Sequence, residues 1–238
     1  MKKLRLGIIG GGPGSWIGHV HRIASRFDDK YEIVAGVFSR NFKINQSFGV
    51  SIGVNKNRCY KDFKQLCDKE KKRKDGIEVI AIMTPPGSHQ AIAELFIKNN
   101  IHVISDKPFA GTLPQAKKLY KTIIQNKKIV YGLTHNYSAY PITNQSAYYI
   151  GGTKGSIQFP NLKHWFNKGE RSWWKPICHK DMNIRLSRFT LINQINHLCD
   201  VVLNKTKPKV TGDDGLQSLK IFDAILKSTK SGKKIKIS

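Results

Sequence analysis

Four segments of the chain contain residue types that could bind a phosphate ester or move a proton. The first is a glycine run, GGGPGS at residues 10–15, and the others are Ser39-Arg40, Thr84-Pro85 and Asp106-Lys107. Glycines allow a backbone to turn tightly and approach a pyrophosphate. A lysine amine can exchange a proton with a substrate hydroxyl. Taken alone, the glycine run could also be an ordinary turn. Lys107 could also be an ordinary exposed lysine, since the chain has 32 lysines.

Each of these segments directly follows a short apolar run that is typical of a buried β-strand. The runs alternate with helical patterns, which predicts a parallel sheet with helices on both faces, a doubly wound α/β domain. Such a sheet binds its ligand at the carboxyl ends of the strands, where all four segments would meet. The predicted strands are residues 4–9, 31–38, 77–83, 101–105 and 128–133.

The glycine run lies between the first predicted strand and a helical pattern, which is the context in which such a run binds a dinucleotide. The N–H groups and the dipole at the start of the helix favour the negative pyrophosphate. We therefore predict cofactor contacts from Gly10, Gly12, Gly14, Ser15, Trp16 and Ile17. The helical pattern places one apolar face on Ile17, Val20, Ile23, Ala24 and Phe27.

The residues after the second strand bear on which dinucleotide is bound. An acidic residue at this position hydrogen-bonds the ribose 2′-hydroxyl of NAD. Here Ser39 and Arg40 occupy the position. A hydroxyl and a guanidinium suit a 2′-phosphate, so the sequence favours NADP over NAD. The alternative, that Arg40 is an ordinary surface arginine, stays open.

The composition argues against a nucleic-acid or membrane protein. The formal net charge is +25, but lysines outnumber arginines 32 to 9, and basic and aromatic residues do not alternate as on a single-strand binding surface. There is no run of about 18 apolar residues, and we expect no signal peptide, because the first residues lack its cleavage-site pattern. The four cysteines lack metal-ligand spacing. We expect a cytoplasmic protein with reduced thiols, no metal site and no specific nucleic-acid partner.

The chain changes character near residue 135. Tyrosines and tryptophans are concentrated beyond it, and the predicted elements there are two short strands and two helices, at residues 156–159, 162–166, 191–203 and 214–228. These elements are too few for a full second sheet domain. We predict a dinucleotide-binding domain over residues 1–135 and a reduced α/β substrate region over residues 136–238.

Four motifs in order resemble the glucose–fructose oxidoreductase/inositol dehydrogenase (Gfo/Idh/MocA) family. They are GGGPGSWIGHVHR at 10–22, TPPGSH at 84–89, HVISDKPFA at 102–110 and LTHNYSAYP at 133–141. The resemblance implies an N-terminal Rossmann domain, a C-terminal α/β domain and NAD(P)-dependent oxidation of a sugar or polyol. It gives Lys107 the role of the catalytic lysine, within Asp-Lys-Pro instead of the usual Glu-Lys-Pro. It also implies contacts near the nicotinamide ribose from Thr84, Pro85 and His89. We predict cofactor contacts from Asp106 and Lys107 as well.

The second half of the chain departs from the family pattern. Members usually have an Asp-x-Gly-x-His element, whose histidine assists proton transfer, before a large open sheet through which they dimerise. Here His197, with Asp200 three residues later, is a partial match, and its segment fits the family's closing helix better. We expect most of the open sheet, and with it the usual dimer surface, to be missing. The oligomeric state is left open.

Two functions follow as hypotheses. The first is an NAD(P)-dependent sugar or polyol dehydrogenase in which Lys107 acts as acid and base. The second is a catalytically impaired relative that still binds the dinucleotide and serves as a binding or interaction module, or is a gene remnant. The two hypotheses differ in whether a sugar or polyol is turned over.

Overall fold

The computed structural model describes residues 3–134, 148–152, 155–159, 163–166, 178–181 and 190–237. The chain forms two compact units, Met1–Asn136 together with Leu191–Ser238, and Tyr137–Thr190. The last helices thus return to the first unit, and the domain boundary that we predict near residue 135 stays a prediction. No helix in the described ranges is long and apolar enough to cross a membrane.

Five parallel strands form the sheet of the first unit, in the order β2-β1-β3-β4-β5. Helices cover both faces, so the central strand is buried along its whole length and consists of apolar residues. The strands are β1 (Leu4–Gly10), β2 (Tyr31–Val37), β3 (Val79–Met83), β4 (His102–Ser105) and β5 (Tyr131–Leu133). The predicted doubly wound Rossmann sheet is confirmed.

Five helices connect these strands, and side-chain caps start several of them. The hydroxyl of Thr112 accepts a hydrogen bond from the N–H of Gln115, and the carboxylate of Asp62 caps its helix in the same way. The helices are α1 (Trp16–Phe27), α2 (Phe42–Ser51), α3 (Phe63–Glu70), α4 (His89–Lys98) and α5 (Leu113–Gln125). Short 3-10 turns lie at Lys56–Arg58 and Pro86–Ser88.

The buried face of α1 coincides only in part with its predicted apolar face, since Ile17, Val20 and Ala24 pack on the core but two other members do not. Ile23 and Phe27 are exposed by 46% and 58%, whereas the buried residues are Gly18, His21, Ala24 and Ser25. The cause is a close approach of the helix to the glycine turn, because a Cβ at Gly18 would collide with the backbone of Gly11. Small residues therefore face the sheet, and part of the apolar stripe faces outward.

Two closing helices, α6 (Thr190–Val202) and α7 (Gly212–Ser231), pack on the first unit and confirm the two predicted helices. Helix α6 lies at the amino-terminal end of β2, where the hydroxyl of Tyr31 donates to the carbonyl of Ile195 (2.8 Å). The nearby Lys30 pairs with Asp200 at 3.1 Å. Helix α7 lies against α5, and its Gly215 packs on the ring of Phe109.

The second unit contains a four-stranded antiparallel sheet in the order β6-β7-β8-β9. Its strands are β6 (Tyr148–Gly152), β7 (Gly155–Phe159), β8 (Lys163–Phe166) and β9 (Cys178–Asp181). The sequence predicts only β7 and β8. Strand β6 ends in two glycines and β9 is mostly polar, so their pairing with β7 and β8 defines them more than their own pattern does.

Candidate functional site

The glycine turn joins the end of β1 to the start of α1 at the carboxyl edge of the sheet. Its path requires glycine at Gly10, where φ is +86°, and at Gly12, where a Cβ would collide with the carbonyl oxygen of Phe38. The hydroxyl of Ser15 caps the helix by accepting a hydrogen bond from the N–H of Gly18 (3.1 Å). The first turn of a helix has four N–H groups without helical partners, so further donors remain for a pyrophosphate.

A cavity of about 600 Å³ opens at the carboxyl ends of β1, β2 and β3. This volume lies in the range of small-molecule and cofactor sites. The lining includes five of the predicted site residues, namely Gly10, Ser39, Arg40, Thr84 and Pro85. The structure therefore brings together, in one cavity, residues that follow three separate strands in the sequence.

Two cationic residues, Arg40 and Lys61, line this cavity together with Ser39. Lys61 is absent from the predicted site because a lone lysine in a basic chain gives no signal. The neighbouring Asp62 also lines the cavity, but its carboxylate accepts the N–H of Gln65 at the start of α3 (2.8 Å). The mouth of the site thus carries more positive than negative charge, which suits a phosphate.

A buried ion pair holds the loop that carries Lys61. Glu70 is 1% exposed, and its carboxylate accepts hydrogen bonds from Nε of Arg58 (3.0 Å) and from the hydroxyl of Tyr60 (2.6 Å). Burial and the bond to Glu70 raise the pKa of the Tyr60 phenol, so it stays a donor. A backbone bridge between Gly36 and Cys59 ties the same loop to β2.

His89 lies beneath the site and links two of its loops. The residue is fully buried, with Nε2 2.7 Å from the carbonyl oxygen of Thr84 and Nδ1 2.9 Å from that of Pro108. Because both ring nitrogens already face protein carbonyls, the structure gives His89 a positioning role under the predicted ribose site. Thr84 is held further by its hydroxyl, which accepts from Ser88 (2.8 Å).

Asp106 and Lys107 follow β4 at the same edge of the sheet. The N–H of Asp106 donates to the carbonyl of Ile82 (2.9 Å), and its carboxylate accepts from the hydroxyl of Thr134 (2.8 Å). Lys107 is exposed, and the peptide bond to Pro108 is cis. The backbone of Asp106 therefore extends the sheet by one residue. The exposed Lys107 is the first residue beyond the edge of the sheet.

His21 is a titratable group of this region that the sequence analysis does not identify. It is 2% exposed, and among the described residues neither ring nitrogen has a hydrogen-bond partner. Burial lowers its pKa to about 4, while the carboxylate of Asp106 acts in the opposite direction. A neutral imidazole therefore lies in the electrostatic range of Asp106. Its sequence signal is its spacing, one helical turn after the closely packed Gly18.

The structure places His197 away from the other predicted site residues. It lies on α6, whose Ile195 and Asp200 contact the amino-terminal end of β2. Its Nε2 accepts a hydrogen bond from the N–H of Lys209 (3.2 Å). The glycine turn lies at the opposite, carboxyl edge of this parallel sheet, so the structure does not bring His197 to the cofactor edge.

Two family models match the chain. The model described as "Oxidoreductase family, NAD-binding Rossmann fold" covers residues 4–134, more than half of the chain, and the model of the family's "C-terminal alpha/beta domain" covers residues 107–237. The chain belongs to the GFO/IDH/MocA oxidoreductase family. The match also confirms the predicted resemblance and an NAD-binding Rossmann domain.

Relatives in the GFO/IDH/MocA family include an uncharacterised oxidoreductase of Bacillus subtilis, YfiI, which is 33% identical over 68% of this chain and 42% of its own length. An inositol dehydrogenase homologue of Azotobacter vinelandii, solved with NADH and myo-inositol, is 36% identical over 56% of this chain and 35% of that one, with a TM-score of 0.54. The chain spans less than half the length of both.

A Sinorhizobium meliloti oxidoreductase shares the fold over 98% of this chain and 99% of its own, with a TM-score of 0.77 and 24% identity.

The residues of this GFO/IDH/MocA member fit a dinucleotide. A backbone cradle at Gly12 admits no side chain, the start of α1 supplies N–H donors, and the adjoining cavity carries two cations. The glycine turn and the start of the helix are the features with which a Rossmann edge binds a pyrophosphate, and the cations suit a further phosphate. The predicted contacts from Trp16 and Ile17 lie at the first two positions of α1.

Proposed function

We propose that the protein oxidises a sugar or polyol hydroxyl with a nicotinamide dinucleotide, and that Lys107 exchanges the proton. The observation that carries the proposal is the convergence of the glycine turn, the cavity and Asp106-Lys107 on one edge of the sheet. When bound, the dinucleotide accepts or returns a hydride. The A. vinelandii relative, solved with NADH and myo-inositol, makes a polyol the first substrate class to test.

In the oxidation direction Lys107 takes the proton of the substrate hydroxyl as the hydride leaves its carbon. In the reduction direction the same amine returns that proton to the carbonyl oxygen. Asp106, fixed by Ile82 and Thr134, holds the backbone from which Lys107 extends. His89 supports the loop from below through the carbonyl of Pro108. The lysine is thus the proton carrier, and the other residues position it.

We further propose that NADP is preferred over NAD. Ser39, Arg40 and Lys61 supply a hydroxyl and two cations in the cavity after β2, where a 2′-phosphate would bind. The carboxylate of Asp62, which could otherwise accept the 2′-hydroxyl of NAD, caps α3. The charge balance of the pocket therefore favours the more negative cofactor.

The second candidate function is a dinucleotide-binding relative without turnover. It is favoured by the placement of His197 away from the cofactor edge and by the use of both His89 nitrogens within the protein. Neither histidine is therefore available to the site as a proton carrier beside Lys107.

One experiment separates the two candidates. NADP and NAD are titrated against the protein by fluorescence or calorimetry, and a panel of polyols and sugars beginning with myo-inositol is then assayed by absorbance of the reduced nicotinamide. Binding with turnover supports the dehydrogenase. Binding without turnover on any compound supports the second candidate, and absence of binding contradicts both.

A further inference from the structure

The outward face of α7 carries four large apolar side chains. Ile221, Phe222, Ile225 and Leu226 are exposed by 47%, 58%, 55% and 46%. The inward face of the same helix is well packed, since Leu216 and Ala224 are buried and Gly215 contacts the ring of Phe109. The four exposed residues, which we call the α7 patch, therefore lie on a fixed helix and not on a loose end.

The α7 patch is uncharged along its length. Ser218 and Thr229 lie on the same side of the helix, each about one turn beyond an end of the patch. Both hydroxyls donate to carbonyls of their own helix, those of Asp214 and Ile225 (2.9 Å each). Neither hydroxyl therefore needs a partner outside the helix. The charged residues of the central turns lie to one side, where Lys227 pairs with Asp223 at 2.7 Å.

The order of residue types along this face of α7 is nearly the same when it is followed in either direction. About a point between Asp223 and Ala224, apolar positions exchange with apolar positions and the two small hydroxyl residues exchange with each other. The exchanged pairs are Ile221 with Leu226, Phe222 with Ile225, and Ser218 with Thr229. At its ends the helix carries Asp213 and Asp214 in the first turn and Lys230 in the last turn.

We propose that a second copy of this chain covers the α7 patch, with the two α7 helices antiparallel about a two-fold axis. This arrangement places the acidic amino-terminal end of each helix beside the basic carboxyl-terminal end of its partner, and the helix dipoles also oppose. A parallel arrangement would instead place the two acidic first turns side by side and the two basic last turns side by side. Charge complementarity therefore selects an antiparallel pair.

The contact would be a modest one. Four half-exposed side chains cover less area than the roughly 800 Å² per partner that standard interfaces bury. We therefore expect a reversible dimer whose fraction depends on protein concentration in the micromolar range.

The first test is sedimentation of the full chain over a concentration series. We expect a shift from monomer to dimer for the native protein and for Val50→Glu, a control that places the same charge at an apolar residue exposed by 51% on α2. Phe222→Glu and Ile225→Glu should each stay monomeric, with circular dichroism confirming that they fold. A native monomer at all concentrations, or a dimer that persists in both folded variants, would overturn the proposal.

The second test determines whether the two α7 helices pair in antiparallel or parallel orientation. Ser218→Cys and Thr229→Cys are made separately, mixed and oxidised. An antiparallel pair predicts a cross-link between the two variants that exceeds the cross-link within either variant alone. Cross-linking of each variant mainly with itself would contradict the antiparallel arrangement.

Discussion

Nδ1 of His89 lies 2.9 Å from the carbonyl oxygen of Pro108, the residue that follows the proposed proton carrier. The other ring nitrogen lies 2.7 Å from the carbonyl of Thr84, in the loop that lines the cofactor cavity. Carbonyl oxygens only accept, so the ring nitrogen that carries the hydrogen donates to the carbonyl it faces, and the tautomer decides which of the two that is. One buried ring thus sets the spacing between the cofactor loop and the lysine loop.

Replacing this ring should loosen both loops. His89→Ala removes a fully buried ring that contacts the carbonyls of both loops and donates to one of them, and we expect a loss of about 3 kcal/mol in the free energy of unfolding and weaker cofactor binding. Urea denaturation and dinucleotide titration measure the two effects. His197→Ala is the control, because that ring accepts a single hydrogen bond and lies away from the cofactor edge. Equal losses in both variants would contradict the linking role.

The close approach at Gly12 predicts that any side chain there blocks the cofactor. Gly12→Val would bring a Cβ against the carbonyl oxygen of Phe38, so the turn must shift and we expect loss of dinucleotide binding at millimolar concentrations. The control is Gly151→Ala, where the nearest atom to an added Cβ is the Ser156 hydroxyl at 3.8 Å. A folded Gly12→Val protein that binds the dinucleotide with native affinity would refute the assignment of this turn.

The two cations of the cavity predict a measurable cofactor preference. Arg40→Ala and Lys61→Ala should each weaken NADP binding about tenfold, which is about 1.4 kcal/mol, and leave NAD binding nearly unchanged. Titration of both cofactors gives the comparison, with the exposed Lys98→Ala on α4 as a charge-matched control. If the native protein binds NAD more tightly than NADP, the preference assigned to Arg40 and Lys61 is wrong.

The buried His21 predicts a pH dependence of stability. Its pKa is about 4 in the folded protein and about 6.5 when unfolded, so between these values the unfolded chain binds a proton that the folded protein does not. Stability should therefore fall as the pH falls from 6.5 to 4, by up to about 3 kcal/mol. His21→Leu should lose this part of the slope in urea denaturation at several pH values. If stability changes with pH equally in both proteins, His21 is not the cause of this pH dependence.

The sequence predicts the sheet and its binding edge well because the strands and the segments that follow them can be recognised from short contiguous patterns. Apolar runs, the glycine turn and the polar residues after each strand are all contiguous segments. It does not predict which face of α1 is buried, since that depends on the contact between Gly18 and Gly11 across the turn. Lys61 reaches the cavity through long-range pairing of Gly36 with Cys59, which no local pattern reveals.

The roles of the histidines could not be predicted for the same reason. Sequence spacing identifies His89 but does not reveal that carbonyls of two distant loops face both ring nitrogens. His197 matches a family motif only in part, and its position is decided by the packing of α6 on β2. Burial and tertiary partners, which a sequence pattern does not contain, determine what each ring can do.

The proton-transfer role of Lys107 is tested most directly by the turnover of Lys107→Gln with the best substrate of the polyol and sugar panel. We predict that kcat falls at least a hundredfold while the dissociation constant for the dinucleotide stays within about twofold, because proton transfer depends on this one amine whereas cofactor binding is shared among many residues of the glycine turn and the cavity. Lys98→Gln should match the native enzyme. Native turnover by Lys107→Gln would contradict the central claim.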